Sequence, residues 1–344
     1  MNYSDYIRVI IVNMKIIQHI NWGIIGCGNV TEVKSGPAFG KIDGSHVVAV
    51  MRRDGEKARD YAMRHHVSRW YDLADKLIND PEVNAVYVAT PPSSHALYAI
   101  QAMEAGKPVY VEKPMAACYA DCLVMNQTSL RTGMPLYVAY YRRFLPYFQK
   151  VKEILDGGQL GKVLFVQVVL HLPAKPEDHD SGNLPWRLDS DIAGAGYFYD
   201  LASHQIDLFD WIFGEPKEVE GKHFNRAGYY AAEDVVFARI IYESGVPLTG
   251  TWCFTAEGKM QQDKITVFGT EATLEFSTFA FSPIRIIRPE LVAENLPPNP
   301  ENIQYWFIRN MVEELQGRRP KSPNGRIAAK TNRIMDKILG KLAE

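Results

Sequence analysis

The stretch Asn21-Trp22-Gly23-Ile24-Ile25-Gly26-Cys27-Gly28-Asn29-Val30-Thr31 decides how this 344-residue chain is read. Residues 22–26 form an apolar run with the look of a short strand, and Gly26 and Gly28 lead from it into residues that open a helix. Gly26 allows a tight turn, and Gly28 lets backbone approach a pyrophosphate closely. A helix N-terminus at Asn29 and Val30 offers N–H donors and the positive end of a dipole. Thr31 stands where a third glycine is usual. A GxGxx pattern alone is unspecific and could be a generic βα turn. Its place between strand and helix is what points to a dinucleotide.

The surrounding sequence repeats that rhythm. Strands are expected at 22–26, 46–51, 85–90, 108–111 and 136–139, with helices near 30–39, 55–65, 95–105 and 117–131. Ser93 or Ser94 suits an N-cap, and Gly106 and Gly133 sit where C-terminal glycines are expected. Alternating strands and helices predict an α/β domain with a doubly wound parallel sheet. After Tyr140 the pattern changes. A helix at 145–156 ends in Gly157-Gly158, and strand-like runs follow at 163–170, 235–242, 248–254, 264–268, 272–276 and 284–287. One strong helix, 201–213, interrupts them. Many strands with few crossovers predict an α+β domain with a large, mostly antiparallel open sheet. Helices at 303–316 and 325–342 close the chain, separated by a turn at 320–323. The polar segment 171–191, with three prolines, reads as a loop beside a site.

Composition narrows the function classes. Apolar residues make up 47% and charged residues 23%, and 38 basic against 40 acidic side chains give a net charge of −2. That balance provides no global cationic surface for phosphate backbones or anionic lipid, so neither a nucleic-acid nor a membrane partner is expected. Four scattered cysteines, Cys27, Cys118, Cys122 and Cys253, form no CxxC zinc pattern and no disulfide framework. No metal is expected, and a reducing cytoplasm is the expected compartment. Residues 6–20 are apolar but broken by Arg8, Asn13, Lys15, Gln18 and His19, and lack the layout of a signal peptide. Residues 1–20 therefore read as an N-terminal extension, with Met14 an alternative start.

Four further clusters carry chemistry. The second strand ends in Met51-Arg52-Arg53-Asp54. Arginines there suit the 2′-phosphate of NADP, so NADP(H) is favoured over NAD(H), although a solvated strand end would look the same. Asp54 reads as the N-cap of the next helix. The strand 85–90 exits into Thr90-Pro91-Pro92-Ser93-Ser94-His95, at the edge where open α/β sheets bind ligands. The next strand ends Glu112-Lys113-Pro114, and an ammonium at Lys113 could stabilise a developing alkoxide. In the second domain, Asp200 and His204 are four apart in Gly194-Ala195-Gly196-Tyr197-Phe198-Tyr199-Asp200-Leu201-Ala202-Ser203-His204. A helix sets them on one face, where imidazole can exchange a proton and carboxylate can orient it. Singly, Asp200 is equally a helix cap and His204 a core histidine.

Taken as a set, Gly26-Cys27-Gly28, Thr90-Pro91-Pro92, Glu112-Lys113-Pro114 and Gly194-x-Gly196-x3-Asp200-x3-His204 resemble the Gfo/Idh/MocA family of NAD(P)-dependent oxidoreductases in order and spacing. The resemblance runs from about Trp22 to the C-terminus. It implies a dinucleotide-binding Rossmann domain at 21–140 and a substrate-binding and oligomerisation domain at 141–344, whose last helix packs back on the first domain. It implies that Lys113 is the catalytic lysine, His204 the acid/base and Asp200 a partner in the site, with a cis peptide at Lys113–Pro114. Gly26, Gly28, Asn29, Val30, Arg52, Arg53, Thr90, Pro91, His95, Glu112 and Lys113 would then face the cofactor. Tyr141 takes the place of the asparagine in the family's Asn-Arg-Arg-Phe turn, beside the nicotinamide. Trp186, Arg187 and Tyr305 would join Asp200 and His204 on the substrate side. The implied reaction is reversible hydride transfer between nicotinamide and a secondary alcohol of a small polyhydroxylated substrate, a sugar, cyclitol or diol. Two other readings remain: an NAD-using glycosidase of the same fold, and a non-catalytic cofactor-binding regulator. A homodimer or homotetramer would form through the sheet of the second domain.

Overall fold

The structure is a computed structural model that describes residues 16–288, 291–293, 298–318 and 322–342. Residues 1–15 of the expected extension, and 320 and 321 of the expected turn, lie outside the described residues. The chain divides into two compact units, one running to Tyr141 and including Pro300–Ala329, the other holding Arg142–Asn299 and the chain from Lys330 onward.

The first unit is built on six strands, β1 (Ile20–Ile25), β2 (Ser45–Met51), β3 (Arg69–Tyr71), β4 (Ala85–Val88), β5 (Val109–Val111) and β6 (Leu136–Val138). All neighbours pair in parallel, in the order β3-β2-β1-β4-β5-β6. The connecting helices are α1 (Asn29–Val33), α2 (Gly36–Phe39), α3 (Gly55–Arg64), α4 (Ala74–Ile78), α5 (His95–Glu104) and α6 (Tyr119–Thr132). Crossover helices force a parallel sheet to bury both faces. Accordingly Ile25, Val86, Val88, Val109 and Val111 lie fully buried with Leu77, Met103 and Met125. Each such side chain contributes about 1.5–3 kcal/mol.

Two local readings change. The helix expected at 30–39 is split into α1 and α2 around Lys34 and Ser35. Pro37 sits in the first turn of α2, where its missing N–H costs nothing, and so starts a new helix rather than continuing one. A Cβ at Gly36 would fall 2.1 Å from the Thr31 carbonyl oxygen, so only glycine allows this close packing. The short β3 and α4 were not expected at all; three residues, Arg69-Trp70-Tyr71, are too few to show a period.

A buried polar network ties the ends of these strands to a distant part of the chain. The Glu112 carboxylate accepts from Tyr87 at 2.6 Å and from the Gln304 amide at 2.7 Å, and Gln304 in turn accepts from Tyr110 at 2.7 Å. Gln304 caps α10 (Tyr305–Leu315), which belongs to this first unit.

The second unit opens with α7 (Pro146–Asp156) and contains an eight-stranded sheet. Its strands are β7 (Val163–His171), β8 (Pro216–Phe224), β9 (Val235–Tyr242), β10 (Pro247–Cys253), β11 (Gln262–Gly269), β12 (Thr273–Phe276), β13 (Arg285–Ile287) and β14 (Leu291–Ala293). They lie in the order β14-β13-β12-β11-β7-β10-β9-β8, and only the β7–β10 pair is parallel. Along β9 the period-2 pattern is plain: Val236, Ile240 and Tyr242 are buried while Phe237 and Arg239 are exposed. The short helix α8 (Ser190–Ala193) is followed by α9 (Ser203–Phe213), which packs on the sheet through Gln205 against Trp252 and Phe213 against Tyr242. The last helix, α11 (Gly325–Ile338), is shared. Ala328 and Ala329 join the core of the first unit, while Asp336 accepts from Tyr199 and Ile338 lies against Gly221 in the second.

Helix α9 carries two acids, Asp207 and Asp210, whose carboxyl oxygens are buried. Arg143 grips Asp207 with two charge-assisted hydrogen bonds, of 2.7 and 2.6 Å. Asp210 has no hydrogen-bond partner for either carboxyl oxygen, and burial pushes its pKa up to about 8 against the pull of Arg143. An unfolded aspartate titrates near about 4, so between about pH 4 and pH 8 only the folded state holds this proton. Asp210 therefore makes stability fall as pH rises through that window, by up to about 1.4 kcal/mol per pH unit. Asp210→Asn should flatten that slope, read as the difference in denaturant midpoint between about pH 5 and pH 8. An unchanged slope in the variant would exclude the assignment.

Candidate functional site

All six parallel strands end at one edge of the first unit, and the sequence-marked residues of that unit lie in the turns there. Gly26 has φ +92°, a conformation that favours glycine. A Cβ on Gly26 would stand 2.7 Å from Thr90 Cγ2 and 3.0 Å from the Ala89 carbonyl, so the turn after β1 is pressed against the turn after β4. Gly28 precedes α1 in extended conformation, and a Cβ there would meet only the Gly26 oxygen, at 3.9 Å. The space above the loop is thus open. The N–H groups of Asn29 and Val30 have no carbonyl ahead of them in the helix. An open glycine shelf with outward N–H donors fits the pyrophosphate of a dinucleotide. Thr31 fills the third glycine position by turning its hydroxyl back on the Gly28 carbonyl, 2.8 Å away, and is completely buried.

At the end of β2, the exposed Arg52 donates to the Cys27 carbonyl at 3.4 Å, which lays its guanidinium along the glycine loop. Arg53 is exposed. Asp54 caps α3, as expected, by accepting from the Lys57 N–H at 3.2 Å. Burial raises the Cys27 thiol to about 11 despite Arg52, so this cysteine stays protonated beside the loop.

After β4, Ser94 closes the Thr90–Pro91 turn, donating to Thr90 Oγ1 at 2.8 Å or to the Pro91 carbonyl at 3.0 Å. Two residues expected to face the cofactor are instead turned inward. His95 is completely buried, with Nε2 2.7 Å from the Thr90 carbonyl and Nδ1 3.0 Å from the Pro114 carbonyl. Burial lowers its pKa, against the raising effect of those carbonyls and of Glu112. Glu112 is likewise buried, its carboxylate held by Tyr87 and Gln304 and accepting from the Lys113 N–H at 3.3 Å. Both corrections have one cause: a polar side chain next to a strand end can satisfy the turn's own backbone. Lys113 itself is partly exposed where β5 ends, and the Lys113–Pro114 peptide is cis. Tyr141 is buried in the turn that follows β6, and Tyr305 opens α10 next to Gln304.

In the second unit the structure brings Trp186, Arg187 and Asp200 together. Arg187 Nε donates to Asp200 Oδ2 at 3.0 Å, and the guanidinium lies 4.4 Å above the Trp186 ring. Asp200 and His204 do not share one regular helix. The segment Phe198–Ala202 forms a single wide π-type turn before α9, and His204 is the second residue of α9. His204 is buried, with its ring edge-on to Phe279. The glycines ahead of this turn have physical reasons. Gly194 ends α8 with φ +90°, and a Cβ on Gly196 would crowd Ala232 at 3.0 Å. Glu233, which no local pattern marks, accepts from the Gly196 N–H at 2.9 Å; burial raises its pKa. Gln304 was missed for the same reason: its partners lie far away in the sequence. Among the described residues, no group of three or more His, Cys, Asp or Glu could hold a metal ion, and no helix is long and apolar enough to cross a membrane.

Residues 20–140 match the oxidoreductase family with an NAD-binding Rossmann fold, and residues 148–275 match the GFO/IDH/MocA C-terminal domain. A protein named Oxidoreductase P35, from Formosa agariphila, is 38% identical over 321 residues, covering 93% of this chain and 98% of its own. Inositol 2-dehydrogenase 2 of Saccharopolyspora erythraea is 31% identical over 232 residues, 66% of this chain and 64% of that protein. Among solved structures, levoglucosan dehydrogenase in complex with NADH superposes with a TM-score of 0.82 at 21% identity, over 93% of this chain and 96% of that one. The molecule is thus an NAD(P)-binding oxidoreductase. It belongs to the Gfo/Idh/MocA family.

Proposed function

We propose that this protein catalyses reversible oxidation of a secondary alcohol in a sugar, cyclitol or diol, with NADP(H) preferred to NAD(H). The observation that carries the reading is the exit of Lys113 from β5 at the same sheet edge as the open glycine shelf at Gly26 and Gly28. The likeness to an inositol dehydrogenase supports a polyhydroxylated substrate.

Gly26, Gly28, Asn29 and Val30 hold the pyrophosphate, with Thr90 and Pro91 closing over it and Tyr141 beside the nicotinamide. When bound, the nicotinamide supplies the carbon that takes or gives hydride. His204 accepts the substrate hydroxyl proton as the carbon–hydrogen bond breaks. The Lys113 ammonium stabilises the negative charge that develops on the substrate oxygen. Asp200, held by Arg187, accepts from a neighbouring hydroxyl and orients the ring against Trp186, with Tyr305 completing the substrate side. In the reverse direction His204 returns the proton to the carbonyl oxygen. Proton handling of this kind contributes about 10²- to 10⁴-fold.

Lys113→Ala should therefore lower kcat by about 10²- to 10⁴-fold and leave the dissociation constant of the cofactor within about threefold. The assay is nicotinamide absorbance across a panel of inositols, aldoses and vicinal diols. Undiminished turnover in the variant removes the role of Lys113, and substrate cleavage without net change in the cofactor would replace the reading by that of a glycosidase.

Arg52 carries the cofactor preference, because it lies along the glycine loop while the acid that follows the strand end, Asp54, is engaged as a helix cap. NADP⁺ should bind about tenfold more tightly than NAD⁺, and Arg52→Ser should erase most of that ratio. Equal or tighter binding of NAD⁺ by the unaltered protein, followed by fluorescence titration, would refute this.

One face of the second unit's sheet exposes Phe165, Phe224 and Phe237, each 40% or more accessible. Such a patch suits pairing with a second copy in a homodimer or homotetramer. Light scattering should give a multiple of the chain mass that Phe237→Glu reduces; a monomeric native protein would rule the pairing out.

A further inference from the structure

The turn after β4 and the turn after β5 are joined by one buried side chain. His95 opens α5 and is completely buried, yet it fills no apolar pocket role that a leucine would not fill better. Its two ring nitrogens reach in different directions along the chain: Nε2 to the carbonyl of Thr90, five residues back, and Nδ1 to the carbonyl of Pro114, nineteen residues ahead. A neutral imidazole carries one N–H, so the ring donates to one of these carbonyls and packs against the other; without it the accepting carbonyl would be unmet at a strand end, at a cost of about 1–3 kcal/mol.

The contacts on either side extend this bridge. Thr90 Cγ2 already occupies the space above Gly26, where an added Cβ would come within 2.7 Å of it. Beyond Pro114, the preceding N–H of Lys113 donates to the Glu112 carboxylate, which Tyr87 and Gln304 fix from the interior. A continuous line of packed and hydrogen-bonded groups thus runs from the glycine shelf through Thr90, His95 and Pro114 to the backbone of Lys113. We propose that His95 is a positioning residue that locks the Thr90–Pro91 turn to the Lys113–Pro114 turn, so that the lysine is held in register with the cofactor shelf. The inference rests on the reading of Lys113 as a catalytic residue. It gives the imidazole a task distinct from touching the cofactor. A misplacement of a reacting group by about 1 Å can cost about 10²-fold, so loss of the bridge should appear in the chemical step.

The test is a double-mutant cycle with Lys113→Ala. His95→Ala should lower kcat by about 10- to 100-fold while the substrate KM and the cofactor dissociation constant stay within about threefold. His95→Gln keeps one amide donor in reach of the carbonyls and should recover most of the loss. In the Lys113→Ala background, either His95 substitution should cost no further factor, because the group it positions is gone. A general weakening of the fold would instead lower both backgrounds alike. Should His95→Ala fail to fold, His95→Gln in the same cycle carries the test, with a smaller but still non-additive loss expected. Full activity in His95→Ala, or the same loss with and without Lys113, overturns the proposal. Undiminished turnover in Lys113→Ala alone sinks the lysine reading first, and is thereby distinguished from a failure of the bridge.

Discussion

The first unit depends on a carboxylate held almost entirely out of solvent. Glu112 sits at the last turn of a central parallel strand, where burial of a negative charge costs several kcal/mol unless donors surround it. Tyr87 from the neighbouring strand, the amide of Gln304 and the N–H of Lys113 are those donors. Because the donors come from three parts of the chain, satisfying one charge fixes the end of β4, the exit of β5 and the start of α10 together. The sheet edge that offers a shelf for a dinucleotide is therefore braced from below by that network.

In the second unit the polar work is distributed differently. The Arg143–Asp207 pair sits inside the unit with two short hydrogen bonds, and Trp252 donates to Gln205, whose amide donates to Thr278. These contacts hold α9 against the sheet and so set where His204 lies along it. Arg187 and Asp200, by contrast, are paired at 3.0 Å and partly exposed. One set of charges builds the helix seat, and the other lies nearer solvent.

How far the sequence alone reached depended on the range of each interaction. The glycine loop, the Thr90 and Lys113 turns and the alternation of β9 are local patterns, and local patterns survive into the structure. The strand Pro216–Phe224 escaped because it is an edge strand whose run Lys217-Glu218-Val219-Glu220 has no apolar face to show. The break between α1 and α2 was written in Gly36-Pro37 and could have been read. The inward turn of His95 and Glu112 was not readable, since it is decided by groups outside the local pattern: for His95 the Pro114 carbonyl nineteen residues ahead, and for Glu112 Tyr87 and the distant Gln304. For the candidate site, then, residue types were legible at both units while the partners of those residues were not. Arg187 is the instructive case: its link to Asp200 spans thirteen residues across a loop with no period.

The discontinuous make-up of the two units has a consequence for synthesis. Strand β7 forms the middle of its sheet, yet both of its neighbours, β10 and β11, are made much later. Gln304, which completes the Glu112 network, and the final helix, which lends side chains to both cores, come later still. A nascent chain emerging from the ribosome consequently carries two unfinished interiors until its closing segment appears. Loss of that short tail through a premature stop would cripple the nucleotide shelf and the open sheet at once, although most of each is encoded far upstream.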